Sequence, residues 1–353
     1  MRGEVTGLDD AAAGSERVDC DLHNEVPGIE ALLPHLPEHW VEHVQTTVFR
    51  GAPDTVYPPA VYRSPTAPTA DPLDRLREEV LDRDGVTVGI LNCTYAVDGL
   101  HNPDQAAALA RAVNDWQAAE WLARDGRLRA SIVVPSQVPA LAIEEIERTA
   151  GHPGFVQVLL PARAHHPYGN RLFHPLWEAI AAHDLVAGIH FGGAPGNPPT
   201  PVGWPSYHYE TYVGMALAFA AQLSSLVSEG VFDLHPDLRV TFLESGFTWL
   251  PSHLWRFDKE WKNLRRLVPW VRRPPSDYVR RHVRLTVQPL DAPVDARHLL
   301  EVVEQLESDE MLLYASDHPH RHARDPEADL LRHLPPDVAA RIRAANAMAW
   351  YRL

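Results

Sequence analysis

The chain has 353 residues, 45% of them hydrophobic, which is sufficient for one large core. Its formal charge of -15 at pH 7 argues against a broad surface for nucleic acids or acidic membranes, because phosphates would be repelled. No uninterrupted run of about 20 apolar residues suggests a membrane span, and we expect no secretory signal. Cys20 and Cys93 are the only cysteines, so we expect a cytoplasmic protein.

Short apolar runs typical of strands alternate with stretches of helical periodicity along the chain. The predicted strands are residues 17–23, 86–91, 128–134, 155–160, 185–191, 238–244, 283–287 and 311–316. Their composition favours parallel strands that are buried on both faces. Eight strand–helix units predict an α/β fold, a closed (β/α)8 TIM barrel. An open doubly wound sheet is the alternative, but no glycine-rich dinucleotide fingerprint follows the first strand.

The predicted domain organisation has three parts. Residues 1–16 are expected to form a flexible tail, and residues 17–353 a single barrel domain. Within it, residues 26–72 form a proline-rich insertion after the first strand, which we expect to cover the catalytic face as a cap or lid. A second irregular stretch, residues 192–205, follows the fifth strand and would lie at the same mouth.

Potential metal ligands stand at three predicted strand ends. Asp21 and His23 end the first strand, and residues two apart on a strand face the same side. His190 ends the fifth strand, and Asp317 follows the eighth. Since strand ends meet at the mouth of a barrel, these two imidazoles and two carboxylates predict one divalent ion, with zinc the first choice and manganese the second.

Each of these residues also has an ordinary structural explanation. The chain contains 20 histidines, so a histidine near one strand end is expected by chance. Asp21 could cap a turn, and Asp317 could cap the helix that follows it. The coincidence of ligand types at three strand ends is what favours a metal site.

Several segments resemble the amidohydrolase superfamily, in particular the branch that includes aminocarboxymuconate-semialdehyde decarboxylase and resorcylate-type decarboxylases. The segments are Asp21-x-His23, FDLHPDLRV at 232–240, ESGFTWLP at 244–251 and ASDHPH at 315–320. The resemblance covers nearly the whole chain after the tail. It implies a barrel in which Asp21, His23, His190 and Asp317 hold the metal.

Two positions depart from the pattern of that family. Many relatives have histidine or glutamate where this chain has Asp21. Well-studied relatives also place a histidine at the end of strand six, where this chain has Glu244. Glu244 could act as a general base if burial raises its pKa, or it could be a structural carboxylate.

The lysine content bears on the number of metal ions. Binuclear members of the superfamily use a carboxylated lysine at the end of strand four, whereas the only lysines here, Lys259 and Lys262, come after strand six. The resemblance therefore implies a single ion.

Four further residues are candidates for substrate binding. Arg163 follows strand four and could hold a substrate carboxylate, although a salt bridge at the barrel rim is the alternative. His320 could contact the substrate or orient Asp317. Trp204 and His208 follow the strand-five loop and could line the pocket, or pack in a helix or subunit contact.

These residues predict a metal-dependent hydrolase that acts on a small aromatic or carboxylate-bearing molecule, with Asp317 and Glu244 as proton carriers. Non-oxidative decarboxylation is the alternative, and a metal-free binding barrel is a remote one. The tryptophan-rich helix after strand six suggests a homo-oligomer, which we expect to be a dimer.

Overall fold

The computed structural model describes residues 16–52, 71–193 and 196–353. Eight parallel strands follow one another in sequence order around a single sheet. They are β1 (Arg17–Leu22), β2 (Val86–Leu91), β3 (Leu128–Val133), β4 (Phe155–Pro161), β5 (Val186–His190), β6 (Arg239–Leu243), β7 (Val283–Thr286) and β8 (Leu312–Leu313). This is the (β/α)8 barrel that the sequence predicts.

Backbone hydrogen bonds between β1 and the segment after β8 close the sheet. Cys20 N donates to Tyr314 O at 3.0 Å, and His23 N donates to His318 O at 2.8 Å. Asp317 N donates in the opposite direction, to Asp21 O at 3.1 Å. Regular pairing of β8 is limited to two residues, so this strand is shorter than the six residues predicted. The seam carries Asp21, His23 and Asp317 to the same mouth.

Helices connect and surround the strands. They are α1 (Glu38–Thr46), α2 (Pro72–Leu76), α3 (Pro103–Gln117), α4 (Pro139–Thr149), α5 (His174–Ala182), α6 (His208–Val213), α7 (Met215–Ser228), α8 (Val231–Leu234), α9 (Leu250–Leu264), α10 (Pro275–His282), α11 (Ala296–Glu304), α12 (Pro326–Asp329), α13 (Pro336–Ala340) and α14 (Asn346–Tyr351). Proline at the first helical turn recurs, for example in α3 and α4, because its missing N–H is not needed there.

The C-terminal helix α14 packs against residues from the strands. Trp350 and Tyr351 form one buried cluster with Val18, Val186 and Leu313. The indole N–H of Trp350 donates to the Thr241 hydroxyl at 3.0 Å, so the contact is polar as well as apolar. The interior of the barrel is therefore filled rather than open, as expected for this fold.

The insertion after β1 is only partly described. Residues 26–52 contain the nine-residue helix α1, which the sequence did not predict, and Ala52 N donates to the Tyr95 hydroxyl at 3.0 Å. Residues 1–15 of the predicted tail and 53–70 of the predicted cap lie outside the described residues.

The stretch His208–Ser228, which spans α6 and α7, is long and apolar enough to cross a membrane by length and composition alone. The same test is passed by core helices of soluble proteins, and Phe219 and Leu223 of this stretch are fully buried against the rest of the chain. Its length and composition are therefore weak evidence for a membrane span.

Candidate metal centre and active site

The four predicted metal ligands lie together at the carboxyl ends of the strands. Asp21 is the penultimate residue of β1, His23 follows that strand, and His190 is the final residue of β5. Asp317 follows β8 and reaches the site through the closing seam. Each of the four side chains is buried.

Nitrogen and oxygen atoms of these residues face one another at short range. His190 Nε2 lies 3.4 Å from Asp21 Oδ1, and His23 Nε2 lies 3.7 Å from the same oxygen. His23 Nε2 is also 2.9 Å from Asp317 Oδ1. Two overlapping groups of potential ligands result, and they share His23: Asp21, His23 and His190 form one, and His23, Glu244, Asp317 and His320 the other.

Three buried atoms in this space make no hydrogen bond: Asp21 Oδ2, His190 Nε2 and Glu244 Oε2. A buried polar atom without a partner costs free energy, and several together in one place require an explanation. The Nδ1 of His190 is 2.7 Å from the Phe191 carbonyl and donates to it, which leaves the Nε2 lone pair directed elsewhere. Two carboxylate oxygens and one imidazole nitrogen are the donor set that Zn²⁺ or Mn²⁺ accepts, so the residues fit a divalent cation.

Glu244 is the fifth member of the site. It follows β6, adopts a left-handed backbone conformation with φ of 55°, and its Oε2 lies 3.8 Å from His190 Nε2. Its backbone N–H donates to the Thr286 hydroxyl at 3.0 Å, and the Tyr212 hydroxyl lies 3.5 Å from Oε1. Such a strained conformation in a non-glycine residue is typical of functional sites. The structure therefore places this carboxylate with the predicted ligands and not in a remote salt bridge.

Asp317 accepts hydrogen bonds from three imidazoles. His23 Nε2 and His320 Nδ1 each lie 2.9 Å from Oδ1, and His322 Nε2 lies 2.6 Å from Oδ2. Like Glu244, Asp317 is left-handed, with φ of 58°. His320 thus contacts Asp317, one of the two roles predicted for it. His322 was not predicted, although its even spacing from His318 and His320 was a signal in the sequence.

A buried polar network orients Asp21. Asn92 Nδ2 donates to Asp21 Oδ1 at 2.8 Å, and Asn92 Oδ1 accepts from Ser131 and Gln157 at 2.6 and 3.0 Å. Gln157 Oε1 in turn accepts from the Tyr351 hydroxyl of α14 at 2.8 Å. The network connects the site to the C-terminal helix through the barrel interior. Sequence reasoning missed it, because its hydrogen-bonded pairs are 26 to 194 residues apart in sequence.

Burial and charge shift the pKa values of the site in opposite directions. Burial, together with the charges of Asp317 and Asp21, raises the pKa of Glu244 well above its usual range. Burial alone would raise the pKa of Asp317 too, but the charge of His320 and the three imidazole hydrogen bonds hold it well below its usual range. Two neighbouring carboxyl groups with divergent pKa values are typical of acid–base chemistry.

A cavity of about 290 Å³ adjoins the site where β5 ends. Phe191 and Gly192, which follow His190 directly, line it together with Arg163, Trp204 and His208. The predicted substrate residues therefore divide into two sets, His320 beside Asp317 and the other three around this cavity. Phe191 also contacts Tyr212, with ring centroids 5.2 Å apart, and Tyr212 reaches Glu244.

The sequence matches the family model described as amidohydrolase over residues 18–353. The chain belongs to the amidohydrolase family. It is therefore an enzyme, a hydrolase or a carboxy-lyase, and the resemblance found in the sequence is confirmed.

Curated relatives of this amidohydrolase are decarboxylases. The gamma-resorcylate decarboxylase of Rhodococcus jostii RHA1 is 27% identical over 219 residues, which are 57% of this chain and 62% of that protein. This match thus spans less than two thirds of the Rhodococcus protein. The gamma-resorcylate decarboxylase of Rhizobium radiobacter is 26% identical over 275 residues, or 70% of this chain and 78% of that protein.

Solved structures share the fold of this amidohydrolase. A 5-carboxyvanillate decarboxylase from Sphingomonas paucimobilis has a TM-score of 0.69 at 22% identity and covers 96% of this chain and 99% of its own. A dihydroxybenzoic acid decarboxylase from Polaromonas sp. JS666, with bound manganese and the inhibitor 2-nitroresorcinol, has a TM-score of 0.67 at 21% identity and covers 96% and 97%. At these identities the likeness concerns the fold.

Proposed function

We propose that this enzyme is a metal-dependent, non-oxidative decarboxylase of a small aromatic acid. The observation that carries the proposal is the buried group of unpaired donor atoms, Asp21 Oδ2, His190 Nε2 and Glu244 Oε2, beside the His23–Asp317 pair. The hydrolase expected first from the sequence would use the same metal ligands and the same proton carriers. The curated relatives, which are gamma-resorcylate decarboxylases, favour the alternative.

Asp21, His23, His190 and Asp317 would hold the ion, with Glu244 close enough to join them. The chemistry that a bound divalent ion supplies is positive charge, which neutralises the clustered carboxylates and holds the acid group and a neighbouring oxygen of the substrate. Relatives in this fold contain manganese, so we propose zinc or manganese without a preference.

The reaction consumes one proton for each molecule of CO2 released. The bond between the ring carbon and the carboxylate breaks, its electron pair stays on the ring carbon, and a new C–H bond forms there. Asp317 and Glu244 are the proposed proton carriers, because both are buried in the site, Asp317 as a proposed ligand and Glu244 beside the ligand atoms. His322 is partly exposed and 2.6 Å from Asp317 Oδ2, so it can return the proton from solvent.

The domain boundaries and surroundings of the site are part of this proposal. We propose that residues 17–353 act as one barrel domain, that residues 26–72 cover the mouth, and that the enzyme works in the cytoplasm, where the buried thiols of Cys20 and Cys93 stay reduced.

The decisive experiment has two measurements on the purified full chain. Elemental analysis should find close to one equivalent of zinc or manganese, and less than about a tenth of an equivalent would contradict the metal site. CO2 release from hydroxybenzoates and benzene dicarboxylates should then exceed hydrolysis of matched esters, lactones and amides. Hydrolysis without any CO2 release would overturn the decarboxylase in favour of the hydrolase.

A further inference from the structure

Arg163 lines the cavity beside the metal site, and among the described residues its guanidinium forms no ion pair. Its Nε is buried and makes no hydrogen bond, and no carboxylate of the described residues forms an ion pair with it. Burial lowers its pKa, and Asp98 acts on it only through its charge. The chain has 47 acidic residues against 32 lysines and arginines, so this arginine is not unpaired for want of carboxylates.

Backbone hydrogen bonds hold Arg163, which follows β4, against the segment that follows β5. Ala162 N donates to His190 O at 2.7 Å, and Arg163 N donates to Gly192 O at 3.0 Å. Gly193 approaches so closely that a Cβ there would lie 2.0 Å from Arg163 O, and its φ is +96°. Pro161 pairs with His190, a proposed metal ligand, and Arg163 follows Pro161 by two residues. The backbone that carries the guanidinium is therefore held in a fixed position close to that ligand.

The remaining walls suit a single flat ring. Phe191, Trp204, Tyr207 and His208 surround the cavity, whose volume of about 290 Å³ is at the lower end for ligand pockets, about 300 to 1,000 Å³. Aromatic walls favour an aromatic ligand, whereas a guanidinium favours a carboxylate or similar oxyanion in a bidentate pair.

We propose that Arg163 binds a second anionic group of the substrate, which is retained in the product, so that the substrate is a one-ring aromatic acid with two anionic groups. This inference rests on the proposed decarboxylation, in which the other carboxylate reacts at the metal site. Resorcylate, for which the curated relatives are named, has a single carboxylate, whereas 5-carboxyvanillate, for which one of the solved structures is named, has a second carboxyl group. The inference therefore separates this chain in specificity from the resorcylate relatives.

The anionic group that pairs with Arg163 must be the one that the product retains. A guanidinium that pairs with a carboxylate stabilises it in the ground state, whereas charge leaves that carboxylate as its C–C bond breaks. Binding the reacting group on Arg163 would therefore oppose the reaction. Binding a group that keeps its charge stabilises ground state and transition state alike, and it fixes the ring with respect to Asp317 and Glu244.

The test compares binding of benzene-1,3-dicarboxylate, benzoate and inorganic phosphate to the metal-loaded protein. Quenching of Trp204 fluorescence, obtained by difference from the Trp204→Phe variant, reports occupancy without turnover. The variants are Arg163→Gln, Arg163→Lys and the control Arg171→Gln; Arg171 lies in the same connection, but its side chain is 77% exposed. Circular dichroism and thermal melting verify that each variant is folded.

We expect the dicarboxylate to bind at least tenfold more tightly than benzoate. Arg163→Gln should weaken the dicarboxylate by roughly 10- to 100-fold and benzoate by less than about twofold. Arg163→Lys should fall between, because it keeps the charge but not the bidentate geometry. Arg171→Gln should behave like the wild type.

Three outcomes would overturn the inference. They are equal binding of dicarboxylate and benzoate, an equal loss of both in Arg163→Gln, and phosphate binding that matches the dicarboxylate and depends on Arg163. The proposed function has a separate readout. If Arg163-dependent dicarboxylate binding is observed but no acid releases CO2, the proposed decarboxylase is wrong and the Arg163 subsite stands. If only monocarboxylates release CO2, the decarboxylase stands and the Arg163 subsite is wrong.

Discussion

At the scale of single residues, the site buries several carboxylates close together, where their negative charges repel one another. Asp21, Glu244 and Asp317 are three buried carboxylates within a few ångströms, and three imidazoles hydrogen-bond only one of them. Burying charges without compensation is costly, and this cost supports the proposed cation at the centre of the arrangement. Both Glu244 and Asp317 also hold left-handed backbone conformations.

Replacing Asp317 with asparagine should remove activity and leave the fold intact. Asparagine tolerates a φ of 58° as well as aspartate does, so the change isolates the charge and the acceptor oxygens facing His23 and His322. We expect CO2 release to fall by about 10²- to 10⁴-fold with an unchanged circular dichroism spectrum. Asp337→Asn on the exposed surface of α13 is the matched control; full activity of the Asp317 variant would refute its role.

Replacing Glu244 with glutamine tests whether this carboxylate acts in catalysis. The side chain keeps its size while losing the ability to carry a proton, so we expect the rate to fall by about 10²-fold or more. Metal content should be measured on the same sample, because a loss of metal would indicate a ligand instead of a proton carrier. A variant with full activity and full metal would reduce Glu244 to a structural residue.

At the scale of elements, two seams position the active groups. The seam between β1 and β8 is held by Asp19, whose Oδ1 accepts from Asp21 N and Ser316 N, both at 3.1 Å. The seam between β4 and β5 extends past both strands through Arg163, Gly192 and Gly193. The first brings the proposed metal ligands together, and the second sets the cavity beside them.

Asp19 should make stability depend on pH. Burial raises the pKa of Asp19 to about 7, so the folded protein retains a proton there that the unfolded chain has lost. The resulting stabilisation is complete below about pH 4 and is lost as the pH rises to about 7, on the order of 4 kcal/mol in total. Denaturant unfolding at pH 5, 6, 7 and 8 should show a smaller decline for Asp19→Asn than for the wild type; parallel profiles would contradict this.

Gly193→Ala should disturb the seam between β4 and β5. A Cβ would meet the Arg163 carbonyl oxygen at 2.0 Å, and φ is +96°, so the backbone must move. We expect a loss of about 2 kcal/mol or more in the free energy of unfolding, together with weaker dicarboxylate binding. At Gly99 a Cβ would meet no atom within 4 Å, so Gly99→Ala is the control and should change stability by less than about 1 kcal/mol.

At the scale of the whole molecule, exposed apolar side chains gather around α9 and the segment that follows it. Trp255, Leu264 and Leu267 are 57%, 52% and 71% exposed, whereas Trp249 and Trp261 pack against the core. Large exposed apolar patches often mark interaction sites. The homodimer predicted from this tryptophan-rich helix therefore stays a prediction with a defined surface.

Light scattering after gel filtration should give about twice the 39.5 kDa mass of one chain. Trp255→Glu should shift the protein toward the monomer, because it places a charge in the proposed apolar contact. The control is Val294→Glu, since Val294 is 97% exposed and lies outside this helix. A monomeric wild type would refute the dimer, and a dimer unaffected by Trp255→Glu would place the contact elsewhere.

The sequence by itself determined the barrel, because the spacing of apolar runs and helical periodicity are local properties of the chain. It also determined which side chains stand at the strand ends, so Asp21, His23, His190 and Asp317 could be named before their positions were known. Their role as ligands stays a prediction, which the geometry supports.

Tertiary structure alone decided how these residues meet. It brought Glu244 within 3.8 Å of His190, added His322 to Asp317, and supported Asp21 through a network that ends at Tyr351. It also separated Arg163 and Trp204 from the ligand cluster and placed them around one cavity. Such contacts join residues far apart in sequence, and they depend on how the ends of different strands and the loops after them pack together, which no local pattern encodes.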